Sequence, residues 1–162
     1  MSIAIYPGSF DPVTFGHLDV IKRSSSMFEE VVVGILSNNA KHPLFTVEER
    51  KEMLEKAVSD IPNVSVITFD GLLIDYMKAH DISVIVRGLR AITDFDYELQ
   101  IAQSNRKVSC DTIDTVFLTT SIEYAYLSSS IVREYASYGT DVTDFVPKHV
   151  AEMLKEKFNN NY

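Results

Sequence analysis

The sequence predicts an open α/β sheet with right-handed crossovers. Short β-branched runs alternate with longer amphipathic stretches, and several of the runs are apolar without alternation. Strands covered on both faces look like that, as in a parallel sheet between helices. The alternation itself is the pattern of strand–crossover–strand units.

The strands expected in order are residues 3–6, 31–36, 64–67, 82–86 and 115–118. The helices expected between and after them are residues 16–28, 46–58, 72–79, 94–107, 128–138 and 148–158. In the first helix Leu18, Ile21 and the Met27-Phe28 pair fall near one face. The second has the clearest start. Thr46 is a good N-cap, and Glu49 three residues later completes a capping box. Val47, Leu54, Ala57 and Val58 then form its apolar stripe. Asp94 reads as the N-cap of the fourth helix, a better use for it than a metal pair with Asp96.

The 162 residues suit a single domain, 1–162, with no repeat or linker. The formal net charge of -8 excludes a global basic field for nucleic acid. Any phosphate site must then be a local cluster of basic groups and backbone N–H donors. Cys110 is the lone cysteine, which gives no internal disulfide and no CxxC metal spacing, and it reads as a partly buried spectator thiol. His17, His42, His80 and His149 show no metal-ligand spacing either. No stretch approaches the ~20 apolar residues that span a bilayer. The first apolar run is too short for a signal peptide and has no basic start, so the cytoplasm is the expected compartment.

Ligands of open parallel sheets bind beyond the carboxyl ends of the strands. Four segments there carry unusual chemistry. The first is Tyr6-Pro7-Gly8-Ser9-Phe10-Asp11-Pro12-Val13-Thr14-Phe15-Gly16-His17. Its prolines and glycines fix a tight loop that feeds a helix near Gly16. A helix start offers free N–H groups and partial positive charge, which suits phosphate. His17 in the first turn can place an imidazole N–H on a phosphoryl oxygen. The same pattern also fits a structural turn with a solvated histidine. Neither a Walker A sequence nor GxGxxG is present.

The second segment holds Lys41, a solvated charge or a phosphate donor, followed by His42, read as structural or exposed. The third is Arg87-Gly88-Leu89-Arg90, taken as the start of the loop after the fourth strand. Guanidinium forks suit phosphate oxygens, although two surface arginines paired with acids fit as well. The fourth is Tyr124-Ala125-Tyr126-Leu127-Ser128-Ser129-Ser130. Capping explains one of its serines, and a second phosphate explains three better.

These motifs, in this order, resemble the phosphopantetheine adenylyltransferases of the nucleotidyltransferase superfamily, over essentially the whole chain. The resemblance rests on Pro7-Gly8-Ser9-Phe10-Asp11-Pro12, Gly16-His17, Arg87-Gly88-Leu89-Arg90, Asp94-Phe95 with Tyr97-Glu98, and Ser128-Ser129-Ser130. It implies a Rossmann-like open parallel sheet flanked by helices, of the nucleotidyltransferase type. It implies transfer of the adenylyl group of ATP to 4′-phosphopantetheine, giving dephospho-coenzyme A and pyrophosphate without a covalent intermediate. Mg²⁺ would travel with ATP, the chain would form a homohexamer, and coenzyme A would act as a feedback inhibitor. His17, Lys41 and Arg90 would be catalytic. Ser9, Lys41, Leu73 and Arg87 match the acceptor side. Ser9, Phe10, His17, Gly88, Leu89, Arg90, Glu98, Tyr124, Ala125, Tyr126, Leu127, Ser128, Ser129 and Ser130 match the ATP side. No residue is assigned to a metal. Ser9 stands where many relatives have Thr, and Thr14 where the superfamily has an earlier histidine. A cytidylyltransferase, a nicotinamide-mononucleotide adenylyltransferase and a non-catalytic nucleotide sensor are the alternatives. The arginine block favours the pantetheine branch, and retained transition-state donors speak against a sensor.

Overall fold

The structure, a computed structural model, describes residues 2–37, 42–90 and 95–159. Lys41 and Asp94, both given roles from the sequence, lie outside the described residues.

Five parallel strands form one sheet in the order β3-β2-β1-β4-β5. They are β1 (Ile3–Gly8), β2 (Glu30–Leu36), β3 (Val64–Phe69), β4 (Val84–Leu89) and β5 (Asp114–Thr119). The helices are α1 (Phe15–Ser25), α2 (Val47–Ala57), α3 (Leu73–Ala79), α4 (Phe95–Val108), α5 (Ser129–Ser137) and α6 (Lys148–Asn159). A short 3₁₀ turn covers Ile122–Tyr124. This is the expected alternation in the expected order. The strand order reverses direction between β1 and β4, which is where open sheets of this kind leave a crevice.

Side chains alternate between the two faces. On one face Tyr6, Val33, Val86 and Leu118 join Val20 and Ile21 of α1, Met53 and Leu54 of α2, Val132 of α5 and Leu154 of α6. On the other, Ile5, Val32 and Ile85 pack on Ile74 and Met77 of α3. β2 is buried at five consecutive positions, as its unbroken apolar run requires.

Several expectations change. β1 runs on through Pro7 and Gly8, which pair with Gly34 and Ile35. Its pairing with β4, however, covers only Ala4 and Ile5. β4 starts later than expected and continues through Arg87, Gly88 and Leu89, because β5 keeps pairing with it as far as Thr119. Arg87 is therefore a strand residue and not the first residue of a loop. In α1, Met27 falls beyond the helix and is 56 % exposed, so it does not extend the apolar face. In α2 the capping box of Thr46 and Glu49 forms as expected. Its buried stripe is centred on Arg50, Met53 and Leu54. Val47 and Ala57 are only half-buried, since α2 turns Arg50 toward the sheet end. Cys110 is exposed, on a turn just past α4.

Leu154 of α6 is fully buried in the same cluster as α1 and α2. Leu154→Ala should therefore lower unfolding free energy by about 2–5 kcal/mol. Urea denaturation followed by circular dichroism checks this. A single transition is expected, and a separate early transition for α6 would contradict a single domain.

Candidate active site

The opening between β1 and β4 is closed by one side chain. Arg87 donates from Nη1 to the Pro7 carbonyl at 2.9 Å. Its Nε and Nη2 grip both oxygens of Glu98 in α4 at 2.7 and 2.6 Å. Such a bidentate fork is the strong form of ion pair. Burial alone would lower the Arg87 pKa, and the Glu98 carboxylate overrides it and holds it above its ordinary value. Glu98, expected on the nucleotide side, is thus the carboxylate that orients Arg87.

On the α1 side the chain builds an imidazole mount. Thr14 is the N-cap, and its Oγ1 accepts from His17 N. In return the Thr14 backbone N–H donates to His17 Nδ1 at 3.0 Å. Nδ1 is therefore the acceptor nitrogen of a neutral ring, and Nε2 carries the proton. Phe10 fixes the ring from the side by an edge contact at 5.0 Å between centroids. The His17 pKa is lowered to about 4, first by burial and then by the positive charges of Arg90 and Arg87. A histidine was expected here as a donor, and the structure presents it as a neutral one. Phe10 itself is buried, with φ of 48°.

Asp11 ties three segments together. Its carboxylate accepts the Leu44 and Phe45 backbone N–H groups, each at 2.9 Å. It also pairs with Arg133 of α5 at 3.6 Å, and Arg133 donates to the Asp11 carbonyl. Arg50 reaches from α2 to the Ser9 carbonyl at 2.8 Å. Ser129 donates to the Pro12 carbonyl at 2.8 Å. Sequence reasoning gave no role to Asp11, Arg50 or Arg133. One signal was available: Arg50 is a cation on the apolar stripe of α2, where only a buried partner could hold it.

A cleft of about 720 Å³ opens beside Arg87. Ser9, Leu73, Arg87, Glu98, Ser129 and Ser130 line it, so residues assigned to both substrates share one space. His17, Phe10, Gly88, Leu89, Arg90 and residues 124–128 lie outside that lining. Gly88 faces α1, and a Cβ there would meet Val20 at 3.0 Å. Arg90 is exposed and reaches the Leu127 carbonyl at 3.5 Å. Asp19 accepts from the Ser121 backbone N–H and hydroxyl, which pins the segment before Tyr124 to α1. Gly16 lies under Tyr124, with 3.7 Å from its Cβ position to that of Tyr124.

The serines divide their work. Ser128 is the N-cap of α5, with its hydroxyl accepting from Ile131 N. Ser129 bonds the first loop, and the exposed Ser130 hydroxyl accepts from Arg133 at 3.4 Å. Leu127 is a core residue, whereas Tyr126 is exposed and touches Phe145 by its edge. His42 is exposed at the cleft, His80 stacks on Tyr76, and His149 Nε2 lies 3.0 Å from the Met53 carbonyl. Among the described residues no group of three His, Cys, Asp or Glu stands ready to hold a metal. No helix among them is long and apolar enough to cross a membrane.

Comparison with known proteins converges on one family. Residues 5–135 match the cytidylyltransferase-like family model. Among solved structures, a protein of Vibrio parahaemolyticus assigned as a nicotinate-nucleotide adenylyltransferase superimposes with a TM-score of 0.71 at 18 % identity, covering 98 % of this chain and 95 % of that one. At that identity it shows the shared fold alone. A phosphopantetheine adenylyltransferase of Lachnoclostridium phytofermentans is 60 % identical over 98 % of this chain and 97 % of its own length. One from Caldanaerobacter subterraneus is 51 % identical over 99 % of this chain and all of its own. At 60 % and 51 % identity over almost the whole of each chain, these relatives show that the chain belongs to the phosphopantetheine adenylyltransferase family.

Proposed function

We propose that this chain transfers the adenylyl group of ATP to 4′-phosphopantetheine, releasing pyrophosphate and dephospho-coenzyme A. The observation that carries the reading is a neutral imidazole donor held at a helix start beside two guanidiniums, next to a cleft whose wall is one of those guanidiniums. The names of the relatives give the acceptor its identity.

A phosphate monoester is mostly ionised at neutral pH, its second pKa being about 6. As nucleophile it needs no general base. It attacks the α-phosphorus of ATP in line, the new P–O bond forms, and the bond to the pyrophosphate oxygen breaks. The protein's task is then positioning and charge stabilisation. Arg87 and Ser9 hold the acceptor phosphate, and Leu73 lies along its arm. His17 Nε2–H and Arg90, with Lys41, meet the charge that grows at the α-phosphoryl oxygens. The backbone N–H groups at the start of α5, with Ser130, take the outer phosphates, an arrangement that a helix N-terminus favours.

A neutral histidine suits this role. It donates one proton-bearing nitrogen and need not lose its proton in the step. Mg²⁺ would enter on the triphosphate. Of the cleft carboxylates, Asp11 is engaged by two N–H groups and Arg133, and Glu98 by Arg87. Neither fits a metal, so no step is routed through a protein-held ion.

Self-association as a homohexamer is part of the same proposal. α4 buries only Glu98 and leaves Phe95, Tyr97 and Val108 more than half exposed, which supports a face covered by another copy. Feedback by coenzyme A, which carries the product's pantetheine arm, fits the same cleft.

Replacing His17 by Ala should lower turnover by about 10²–10³, the usual cost of one transition-state donor, with little change in ATP affinity. Pyrophosphate release with ATP and 4′-phosphopantetheine measures it. Release with nicotinamide mononucleotide instead would move the acceptor assignment, and no release with any acceptor would favour a nucleotide sensor. The titration has a sign as well. Between pH 6.5 and about 4 the unfolded chain binds a proton at His17 that the folded chain refuses. Stability from this residue is full above that window and is lost as pH falls through it. His17→Asn should therefore flatten the fall of the urea midpoint across that window. Light scattering after gel filtration should give a particle of six chains, and a monodisperse monomer would remove the hexamer.

A further inference from the structure

Past β5 the chain gives up a local bond for a distant one. Thr120 N–H bonds the Leu89 carbonyl at 2.9 Å, and there the chain leaves the sheet. Ser121 follows as the N-cap of the 3₁₀ turn Ile122–Tyr124, yet its hydroxyl makes no cap bond. An N-cap serine ordinarily accepts from an N–H two or three positions on. Here the Ser121 hydroxyl donates to Asp19 Oδ1 at 2.9 Å, and the Ser121 backbone N–H donates to Asp19 Oδ2 at 3.1 Å. Both oxygens of one carboxylate in α1 are thus spent on one residue 102 positions away. Arg23, one turn along α1, lies 3.5 Å from Asp19 Oδ2 and donates to the Thr119 carbonyl from the same nitrogen. An Asp19–Arg23 pair alone would be an ordinary surface contact worth little. The Asp19 side chain, however, is only 15 % exposed, and it sits past the first turn of α1, where the helix dipole has faded.

We propose that Asp19, braced by Arg23, is a positioning residue for the nucleoside half of ATP, holding residues 121–127 against the helix that carries His17. This rests on the functional reading above and names what fixes the segment which that reading puts on the ATP side. The segment is gripped at both ends. Leu127 anchors the far end in the core, and Arg90 reaches its carbonyl. Between the anchors Ile122 is almost fully exposed and Tyr126 more than half, so packing there holds little. Turn bonds carry the position of Ser121 forward. Tyr124 N–H donates to the Ser121 carbonyl at 2.9 Å, and Leu127 N–H to the Tyr124 carbonyl at 3.0 Å. The latch draws Tyr124 over the start of α1, its Cβ 3.7 Å from the Cβ position at Gly16 and its ring 6.2 Å from that of Phe15. A planar base packed on this aromatic segment is thereby set at a fixed offset from the His17 imidazole. The start of α5 does not depend on the latch, since Ser128 caps its own helix and Ser129 bonds the Pro12 carbonyl.

The test is calorimetric titration of the full chain with ATP and with inorganic tripolyphosphate, which has the phosphates and no nucleoside. Asp19→Ala should weaken ATP about tenfold, the scale of one hydrogen bond to a charged group, and leave the Kd of tripolyphosphate within about twofold. Asp19→Asn keeps the shape and one acceptor oxygen for Ser121, and its ATP Kd should fall between those of Asp19→Ala and the unsubstituted chain. Ser121→Ala should weaken ATP about threefold on its own but not in the Asp19→Ala background, because the two side chains act as one contact. An ATP Kd for Asp19→Ala within about twofold of the unsubstituted chain would overturn the latch. So would an equal loss for ATP and for tripolyphosphate, which would mean a distorted helix start. A full effect of Ser121→Ala after Asp19 is gone would do the same. An unsubstituted chain that binds ATP no more tightly than tripolyphosphate grips no nucleoside and ends the proposal. No acceptor enters the titration, so a chain that binds ATP in this way but releases no pyrophosphate with 4′-phosphopantetheine would sink the transfer reading alone.

Discussion

The parting of β1 from β4, with the Arg87 guanidinium filling the gap, is the constraint on which the site depends. The two strands pair only at Ala4 and Ile5, yet β1 continues beside β2 and β4 continues beside β5. Beyond Ile5 the Pro7 carbonyl has no strand partner on that side, and Arg87 supplies the donor. An unpaired backbone carbonyl at this depth would carry the desolvation penalty of any buried polar group. Arg87 is in turn locked by Glu98, so the sheet, the first loop and α4 meet in one fork. The opening gives space, and the side chain that fills it gives that space its charge.

A second set of contacts keeps the loops in register. The Asp11 carboxylate draws in the Leu44-Phe45 turn and Arg133 of α5. Arg50 holds the Ser9 carbonyl, and Ser129 holds that of Pro12. Further out, Lys157 of α6 reaches Glu49 in the capping box of α2 at 2.9 Å and lies over Phe45. A chain with net charge -8 thereby concentrates cationic groups at one sheet end, with acids spent on orienting them. Phosphate binding in an acidic protein needs this local arrangement because screened, distant charges contribute little.

The His17 ring shows how the backbone sets chemistry. The N–H that Thr14 gives to Nδ1 is one of the donors every helix start leaves over. Using it on the imidazole satisfies the helix and fixes the tautomer at once. Burial first, and then the neighbouring arginines, make protonation costly, so the ring remains neutral without any carboxylate partner.

What the sequence by itself determined was local. Apolar runs, the Thr46 and Glu49 box and the turn residues after the first strand act over a few positions, so they can be read directly. The motifs likewise named the segments that reach the sheet end. Only the tertiary structure decided how those segments are used. Arg87 became a strand residue because β5 pairs with it, and its carbonyl partner Pro7 is 80 positions away. Asp11 and Arg133 meet across 122 positions, and Glu98, a ligand candidate from the sequence, also braces Arg87. The buried Thr115 hydroxyl has no hydrogen-bond partner among the described residues, a fact no spacing encodes. Pairing across the sheet is settled by which strands lie side by side, and periodicity within one strand carries no information about its neighbour.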